Sequence, residues 1–252
     1  MSNKIYEFPK SIKKDVIPHY CGGCAHGVVH KLIGQVMDEL GIQGDVILAA
    51  PVGCAVFAYR YLDIDGLESP HGRAGAVATG LKRAHPDKIV MTYQGDGDLL
   101  AIGASETLHA ANRGEGIVTF FVNNAIYGMT GGQMAPTTMP GQVSSTTPFG
   151  RKVEDAGYPM KGCELLNTLE RPYYIERCST HDVKHILKTK AAIKKAFEYQ
   201  KENKGYCLVE ILGICTTNWG MGAVESTEWL IKEMLPYFPL KVFRDKGVRT
   251  DA

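Results

Sequence analysis

Oxygen-bearing residues in the middle of the chain have the types and spacing that suit a metal-bound phosphate. They lie in Gly95-Asp96-Gly97-Asp98 and, further along, in Asn123-Asn124. The carboxylate of Asp96, the amide oxygen of Asn124 and the main-chain carbonyl of Ile126 are hard ligands of the kind that Mg²⁺ prefers. Such a site usually stays incomplete until phosphate oxygens join it. The pattern therefore predicts a site for a magnesium-bound diphosphate.

The elements around these residues are predicted to form a strand–helix–strand unit. A strand over residues 88–94 runs into the Gly-Asp-Gly turn, a helix follows, and a second strand covers residues 117–122. In a right-handed unit of this kind the strands are parallel, so Asp96 and Asn124 emerge at the same carboxyl edge of the sheet. Gly97 has no Cβ, so a diphosphate could approach the free N–H groups of the helix's first turn.

Each half of this pattern has an ordinary explanation when it is taken alone. An Asp-Gly turn commonly follows a strand, and Asn-Asn is common in turns of every kind. Their position at the ends of two consecutive strands is what indicates a binding site.

Seven cysteines, an odd number in 252 residues, do not suggest a disulfide scaffold, and metal or cluster ligands are the better expectation. Cys21-Gly-Gly-Cys24 precedes a helix, and alone it fits a thioredoxin-like dithiol, half of a zinc site or half of an iron–sulfur site. Cys54 and Cys215 each follow a predicted buried strand, so both should lie at the sheet edge that carries Asp96. Four converging thiolates fit a 4Fe–4S cluster, with a zinc site as the alternative.

Taken together, the Gly-Asp-Gly and Asn-Asn pair resembles the thiamine-diphosphate motif. Further motifs extend the match to the β subunit of 2-oxoacid:ferredoxin oxidoreductases, namely Cys21-Gly-Gly-Cys24, Pro51-Val-Gly-Cys54, His71-Gly72-Arg73 and the loop Tyr127-Gly128-Met129-Thr130-Gly131-Gly132-Gln133. The resemblance runs from about residue 18 to about residue 220. Members of this family commonly have Pro at the position of Gly22. The sequences of these motifs are most similar to those of the branched-chain, 3-methyl-2-oxobutanoate members of the family.

The resemblance implies the cofactors thiamine diphosphate, Mg²⁺ and a 4Fe–4S cluster. It assigns the cluster to Cys21, Cys24, Cys54 and Cys215, and the Mg²⁺ to Asp96, Asn124 and Ile126. The residues expected to contact thiamine diphosphate are Val52, Gly53, Cys54, Ala55, His71, Gly72, Arg73, Gly95, Gly97, Asp98, Gly128 and Met129.

Several of these positions have competing interpretations. Cys207 competes for the fourth cluster position, but it lies inside a predicted strand, where a buried structural thiol is expected. His71 and Arg73 can donate to phosphate oxygens, although a helix N-terminus with ordinary surface charges explains them too. His26 and His30 are four apart on a helix, but the glutamate of a zincin motif is missing, so a structural role is favoured. Cys163 and Cys178 are expected to pack in the core.

The implied reaction is the coenzyme A-dependent oxidative decarboxylation of a 2-oxoacid, with electrons passing through the cluster to ferredoxin. Thiamine enzymes also need a glutamate against the aminopyrimidine ring, and no glutamate of this chain can be connected with that task. No residue is therefore assigned as catalytic. The glutamate is expected from an α subunit with a pyrimidine-binding domain, and the other expected partners are a γ, coenzyme A-binding subunit or domain, a ferredoxin-like δ subunit and ferredoxin.

A branched-chain 2-oxoacid is the expected substrate. Residues 125–142 form a loop that continues from the magnesium site and carries no lysine or arginine. A second carboxylate, as in 2-oxoglutarate, would be costly in such a pocket without a cation to pair with it. Met129 and Met134 offer adaptable apolar surface, while Gly131 and Gly132 leave volume for a branched side chain.

Other activities share parts of this pattern. A 2-oxoglutarate- or pyruvate-specific member is the alternative within the family. A non-redox thiamine-dependent decarboxylase or synthase usually carries both thiamine domains in one chain and needs no cluster. A non-catalytic iron–sulfur electron-transfer subunit would not need Asp96 and Asn124.

Composition and hydrophobic pattern set the fold class. The chain is 44% hydrophobic with a net charge of +1, which does not suggest nucleic acid or an anionic membrane as a partner. It has no apolar run long enough to span a membrane and no signal-peptide core, so a cytoplasmic location is expected. Alternating strands and helices predict one α/β domain, a thiamine-diphosphate-binding domain over residues 21–240, with a mainly parallel sheet and helices on both faces. Residues 1–20 are predicted to be an extended arm and residues 241–252 a polar tail.

Overall fold

The apolar segments form a seven-stranded sheet in the computed structural model, which describes residues 7–248. The strands are β1 (Val46–Ala50), β2 (Asp65–Glu68), β3 (Ile89–Gly95), β4 (Ile117–Asn123), β5 (Tyr174–Ser179), β6 (Cys207–Leu212) and β7 (Lys241–Asp245). Their order in the sheet is β2-β1-β3-β4-β6-β5-β7. Neighbouring strands are parallel except β5 and β7, which are antiparallel.

Helices cover both faces of this sheet. They are α1 (Ala25–Leu40), α2 (Ala58–Tyr61), α3 (Ala74–Ala84), α4 (Ala104–Arg113), α5 (Val153–Ala156), α6 (Gly162–Asn167), α7 (Val183–Lys201), α8 (Thr216–Trp219), α9 (Ala223–Trp229) and α10 (Leu235–Tyr237). Short π-helical segments span Gly97–Ile102 and Leu230–Met234, and a 3₁₀ turn spans Gln43–Asp45. One core cluster contains α1 and α7, and a second contains α3, α4 and α6. The prediction of a mainly parallel, doubly covered sheet is confirmed.

The central strands are buried on both faces, as their continuous apolar runs require. Every residue of β4 and of β6 is buried. Phe120 of β4 packs against Phe197 of α7 with ring centroids 5.1 Å apart. Burying one such side chain contributes about 1.5–3 kcal/mol, so this layer supplies much of the stability of the sheet.

Four neighbouring strands, β1, β3, β4 and β6, present their carboxyl ends side by side. Gly95 of β3 pairs with Val122 of β4, and Asn123 of β4 pairs with Leu212 of β6. The loops that leave these strands therefore start at nearly the same level. Parallel pairing thus brings segments distant in sequence to one edge.

A buried ion pair between β5 and β6 is hydrogen-bonded to the last residue of β4. Arg177 Nε on β5 donates to Glu210 Oε2 on β6 over 2.9 Å, and both side chains are fully buried. Burial alone would lower the pKa of Arg177, but the carboxylates of Glu210 and Glu164 raise it above its ordinary value. Asn123 Nδ2 donates to the other oxygen of Glu210 over 2.8 Å, and the main-chain N–H of Ala125 donates to Asn123 Oδ1. The first asparagine of the pair is therefore structural, and it fixes the turn that follows.

Residues at both ends of the described chain pack against the domain. Residues 241–245, predicted to begin a polar tail, form the edge strand β7; its three charged residues, Lys241, Arg244 and Asp245, suit an edge strand. In the predicted arm, Ile12 is buried against α1 and forms an isolated bridge with Leu62. Residues 1–6 of that arm and 249–252 of that tail lie outside the described residues.

Two internal segments are irregular. The region 55–70, which has no clear sequence period, contains α2 and β2. Residues 223–237 are divided into α9, a π-helical segment and α10, and Pro236 in α10 lacks the N–H that a continuous helix needs. Within residues 7–248, no helix combines the length and apolar character needed to span a bilayer.

Replacing one member of the buried ion pair tests its structural importance. Glu210→Ala should lower the free energy of unfolding by about 3 kcal/mol or more, because Arg177 and Asn123 would lose a buried partner. Urea denaturation measures this change. Glu228→Ala, which removes an exposed carboxylate, serves as the control and should change stability little. Equal unfolding free energies for the two variants would contradict the assigned role.

Candidate active site

A cavity of about 260 Å³ opens at the carboxyl edge of β1, β3 and β4. It is lined by every predicted cofactor-contacting or magnesium-ligating residue except Ala55, Gly72 and Arg73. His26, Ile102, Tyr127 and Thr130 also line it. The structure thus brings together most of the residues that the sequence singled out, whereas their ligand roles stay predictions.

Asp96 caps the π-helical segment that follows β3 and is buried at the floor of this cavity. Its carboxylate accepts hydrogen bonds from the N–H of Gly97 (2.9 Å) and from Thr137 Oγ1 (2.7 Å). Burial raises the pKa of Asp96 to about 7, although these bonds and the N–H of Ile126 act in the opposite direction. A nearby cation would stabilise the ionised form, so the environment fits a metal ligand.

Asn124 is 5% exposed, and it lines the same cavity as Asp96. Its main-chain carbonyl accepts from Trp219 Nε1 over 3.0 Å. A carboxylate and an amide oxygen at the wall of one cavity are hard ligands of the kind that Mg²⁺ prefers. Asp96 and Asn124 therefore fit Mg²⁺. The contact that Ile126 makes with Asp96 is through its N–H.

Asp98 lines the cavity, but its carboxylate is occupied by the protein. It is 1% exposed and accepts four hydrogen bonds, from the N–H of Val52 (3.3 Å), the N–H of Gly72 (2.8 Å), His71 Nδ1 (2.6 Å) and Gln94 Nε2 (2.6 Å). The sequence predicted that Asp98 contacts the cofactor. In the structure this carboxylate ties three chain segments together at the cavity wall, and its contact with the cofactor stays a prediction.

Three predicted contacts do not reach the cavity. Arg73 forms an ion pair with Glu106 of α4, and its side chain is about half exposed, at 47%. This geometry argues against a phosphate contact inside the cavity. Ala55 is buried in the core cluster that contains α1, and Gly72 faces Asp98 through its N–H.

Gly97 allows a close approach of Tyr127. A Cβ at Gly97 would lie 2.7 Å from Tyr127 Cε1, closer than non-bonded carbons approach. Both residues line the cavity, so the missing side chain lets the loop after β4 close onto the first turn after β3.

A second cavity, of about 150 Å³, adjoins the first. Cys21, Cys24, Cys54 and Cys215 all line it, as the sequence predicted. Burial, together with the neighbouring thiols, raises the pKa of Cys54 to about 12 and that of Cys24 to about 11. Thiolates at these positions therefore need a positive centre to stabilise them.

The four cysteine sulfurs do not form a compact group of the kind that a single metal ion needs. Within residues 7–248, no three of these thiols lie within 4.8 Å of one another. A single tetrahedral zinc ion, with Zn–S bonds of about 2.3 Å, would need sulfurs roughly 3.8 Å apart. Cys207 does not line this cavity; it is fully buried at the opposite end of β6 and accepts a hydrogen bond from Gln200.

Sequence reasoning missed several residues that border the cavities. The ring of His26 lines the larger cavity, with Nδ1 2.6 Å from the Tyr93 hydroxyl, and burial lowers its pKa to about 3. Thr137 reaches Asp96 from a distant part of the loop, and no sequence spacing could indicate that contact. Asn218 lines the smaller cavity. Its position three residues after Cys215 was the one available signal.

The long loop after β4 is held by a buried arginine. The guanidinium of Arg151 is 5% exposed and donates to five main-chain carbonyls, those of Ala135 (3.3 Å), Pro136 (3.1 Å), Thr138 (2.7 Å), Ala156 (2.9 Å) and Gly157 (3.0 Å). Burial lowers its pKa. A segment with little regular secondary structure thereby acquires a defined path, and that path carries Thr137 to Asp96.

Another group of metal-capable side chains lies at the start of α7. The ligand atoms of His181, Asp182 and His185 lie within 4.8 Å of one another. Asp182 caps the helix by accepting from the N–H of His185, whose ring also bonds to the same carboxylate. Helix capping accounts for this arrangement.

Comparison with known proteins matches this geometry. Residues 51–211 match the family described as "Thiamine pyrophosphate enzyme, C-terminal TPP binding domain". The 2-oxoglutarate synthase subunit KorB of Methanocaldococcus jannaschii is 35% identical over 213 residues, covering 84% of this chain and 74% of that protein. The chain belongs to the thiamine-pyrophosphate-binding subunits of the 2-oxoacid:ferredoxin oxidoreductases.

Other members of this family are similar over most of the chain. The ketoisovalerate oxidoreductase subunit VorA of Methanothermobacter thermautotrophicus is 54% identical over 233 residues, which is 92% of this chain and 49% of that protein. This chain therefore spans about half the length of that relative. A solved 2-oxoglutarate:ferredoxin oxidoreductase from Magnetococcus marinus, with 2-oxoglutarate, coenzyme A and succinyl-CoA bound, superposes with a TM-score of 0.80. That structure is 25% identical, and the match covers 97% of this chain and 87% of that one.

Filling the space beside Tyr127 tests the close packing in this thiamine-pyrophosphate-binding subunit. Gly97→Ala should weaken thiamine diphosphate binding at least about tenfold, or 1.4 kcal/mol, because Tyr127 must move into the cavity. Isothermal titration calorimetry in the presence of Mg²⁺ measures the dissociation constant.

Gly44→Ala is the control, because a Cβ there meets no atom within 4 Å and the position is remote from the cavity. Both variants should unfold at similar temperatures. Unchanged affinity in Gly97→Ala would show that Tyr127 is free to move aside.

Proposed function

We propose that this chain is the thiamine-diphosphate-binding β subunit of a 2-oxoacid:ferredoxin oxidoreductase that works in the cytoplasm. The complex would convert a 2-oxoacid and coenzyme A to acyl-CoA and carbon dioxide, and electrons would pass through a 4Fe–4S cluster on this chain to ferredoxin. When bound, thiamine diphosphate would supply the electron sink for decarboxylation, and the cluster would accept electrons singly.

The observation that carries this proposal is a wall shared by the two cavities. Cys54, Asn124, Gly128 and Met129 line both of them. A cofactor in the larger cavity would thus be separated from a cluster in the smaller one by a single layer of residues. Neither a non-redox decarboxylase nor a simple electron carrier needs both cavities in contact.

On the thiamine side, Asp96 and Asn124 would hold Mg²⁺ together with the carbonyl of Ile126. The diphosphate would lie against the first turn after Gly97, where unpaired N–H groups point outward. His71 is fixed through Nδ1 by Asp98, which leaves its other ring nitrogen available to the cavity. Asp98 would act by keeping these loops in place.

On the cluster side, Cys21, Cys24, Cys54 and Cys215 would be the ligands. A four-iron cluster carries its cysteines on four separate metal atoms, so their sulfurs stand further apart than those around one ion. Among the described residues no three of these thiols lie within 4.8 Å of one another, which favours a cluster over a zinc site. Main-chain N–H groups of His26 and Asn218 face the sulfurs of Cys24 and Cys215, as is common around iron–sulfur centres.

A branched-chain 2-oxoacid, 3-methyl-2-oxobutanoate, is the proposed substrate. Among the described residues, no lysine or arginine lines the larger cavity, so a second carboxylate would lack a partner within this chain. Ile102 and Met129 line its mouth and are each about half exposed. Met134, Gly131 and Gly132, which the sequence suggested would shape the pocket, do not line it, whereas Ile102 does. The name of the 54% identical relative, a ketoisovalerate oxidoreductase subunit, supports the same choice.

The proposed partners complete what this chain does not supply. No glutamate between residues 7 and 248 lines either cavity, so the activating glutamate would come from an α subunit with a pyrimidine-binding domain. A coenzyme A-binding γ subunit or domain and a ferredoxin-like δ subunit would bind the acyl acceptor and relay the electrons.

Removing the proposed metal ligand should release metal and cofactor together. Asp96→Ala is expected to lose both Mg²⁺ and thiamine diphosphate, because neither binds well without the other. Metal analysis and cofactor content after gel filtration measure the loss. Asp15→Ala, at an exposed site outside both cavities, is the control. Stoichiometric thiamine diphosphate in Asp96→Ala would exclude this metal assignment.

The cluster assignment predicts different results for Cys54, which lines the smaller cavity, and for Cys207, which does not. Cys54→Ser should lose iron and visible absorbance and abolish ferredoxin reduction, whereas Cys207→Ser should retain all three. Iron content and spectra are measured on protein purified without oxygen. Full activity in Cys54→Ser, or zinc in place of iron in the unaltered protein, would refute the electron-transfer role.

The substrate is tested by the complete complex with coenzyme A and ferredoxin. The value of kcat/KM should be higher for 3-methyl-2-oxobutanoate than for 2-oxoglutarate, because the cavity has no cation for a second carboxylate. A tenfold preference for 2-oxoglutarate, about 1.4 kcal/mol of transition-state binding, would overturn the substrate and leave the cofactor assignments standing. Robust turnover by this chain alone would overturn the need for a partner.

A further inference from the structure

The short helix α8 lines the smaller cavity and is hydrogen-bonded to the loop that lines the larger one. It begins directly after Cys215, and its third residue is Asn218. Asn218 Nδ2 donates to the carbonyl of Gly128 over 2.8 Å and lies 3.7 Å from Cys215 Sγ. The main-chain N–H of Asn218 faces the same sulfur. A single side chain thus touches a proposed cluster ligand and the loop that follows the proposed magnesium ligand.

The next residue of α8 holds the other end of that loop. Trp219 Nε1 donates to the carbonyl of Asn124 over 3.0 Å, and the indole packs against Trp229 with ring centroids 4.6 Å apart. The segment from Asn124 to Gly128 is therefore bonded at both ends to α8. Any displacement of α8 would be passed to the amide of Asn124.

The same segment is packed tightly against the cysteines. A Cβ placed on Gly128 would lie 3.0 Å from Cys54 Sγ and 3.5 Å from Cys215 Sγ. A Cβ on Gly132 would lie 3.0 Å from Asn218 Oδ1. At Gly128 and Gly132 the loop therefore packs directly against the two sulfurs and against Asn218. Packed contacts of this kind transmit small shifts instead of absorbing them.

We infer that α8 couples the two cofactor sites thermodynamically, with Asn218 as the positioning residue. This inference rests on the proposed function. When Cys215 is bound in a cluster, α8 is fixed, and its two hydrogen bonds fix the segment that carries Asn124. The cluster therefore raises the affinity for thiamine diphosphate, and by linkage thiamine diphosphate raises the stability of the cluster by the same factor.

The test measures this coupling in the intact complex, with and without its cluster. In the unaltered protein, chelator-assisted removal of the cluster should weaken thiamine diphosphate binding by about tenfold, within the range usual for coupled sites. In Asn218→Leu, affinity should already be reduced with the cluster present, and its removal should have little further effect. Asn112→Leu, at an exposed position of α4, is the matched control and should keep the full tenfold dependence.

A second variant and a second readout guard against misfolding. Trp219→Phe keeps an aromatic ring but removes the hydrogen bond to Asn124, so it should lower the coupling while its unfolding temperature stays close to that of the unaltered protein. Iron release to a chelator should be slowed by saturating thiamine diphosphate and Mg²⁺ in the unaltered protein, and less so in both α8 variants. A residue that merely stabilises the fold would change affinity without changing these ratios.

The possible failures are distinguishable. Equal thiamine diphosphate affinity with and without the cluster in the unaltered protein would refute the coupling while leaving the proposed function intact. Full coupling in both Asn218→Leu and Trp219→Phe would refute the role of α8. Absence of iron, or of thiamine diphosphate binding, in the unaltered complex would overturn the proposed function and this inference with it.

Discussion

The carboxylate of Asp98 is the interaction on which the geometry of the site depends. A buried carboxylate must be satisfied by hydrogen bonds, and this one accepts four from three separate segments: the loop after β1, the loop before α3 and the strand β3. Those segments supply Gly53, Cys54 and His71 to the cavity wall. Because the cost of leaving the carboxylate unpaired is high, the three segments have one low-energy arrangement.

A second constraint comes from the order of the strands. The four strands that end at the site are neighbours in the sheet, so their loops cannot avoid one another. Asn123 shows how the sheet positions the loop that follows it. Its side-chain amide donates to Glu210, and its side-chain oxygen accepts from the N–H of Ala125, which adopts a left-handed conformation with φ of 56°. The turn thus formed leaves Asn124 facing the cavity.

Local sequence patterns predicted the elements that are governed by local forces. The central strands, the helix after Cys24, and the positions of Asp96, Asn124, Cys54 and Cys215 followed from apolar runs and turn residues. The hydrogen bonds that Asp98 accepts and the ion pair of Arg73 with Glu106 join groups that are distant in sequence. Only the fold brings these groups together, so local patterns did not predict the contacts. The edge strand β7 is polar enough to resemble a tail, and its position is set by pairing with β5. Contacts such as that of Thr137 require the path of the long loop, which spacing alone does not specify.

The path of the long loop after β4 is set by hydrogen bonds from Arg151 to main-chain carbonyls and not to side chains. Arg151 bonds to carbonyl groups, which every residue possesses, so the identities of the loop residues are not fixed by the arginine that holds them. The backbone path of the loop therefore does not depend on which side chains the loop carries. Mutations can accumulate in the loop residues that line the cavity without moving its backbone. A scaffold of this kind allows substrate preference to diverge among descendants of one ancestor while the positions of Asp96, Asn124 and the four cysteines stay the same.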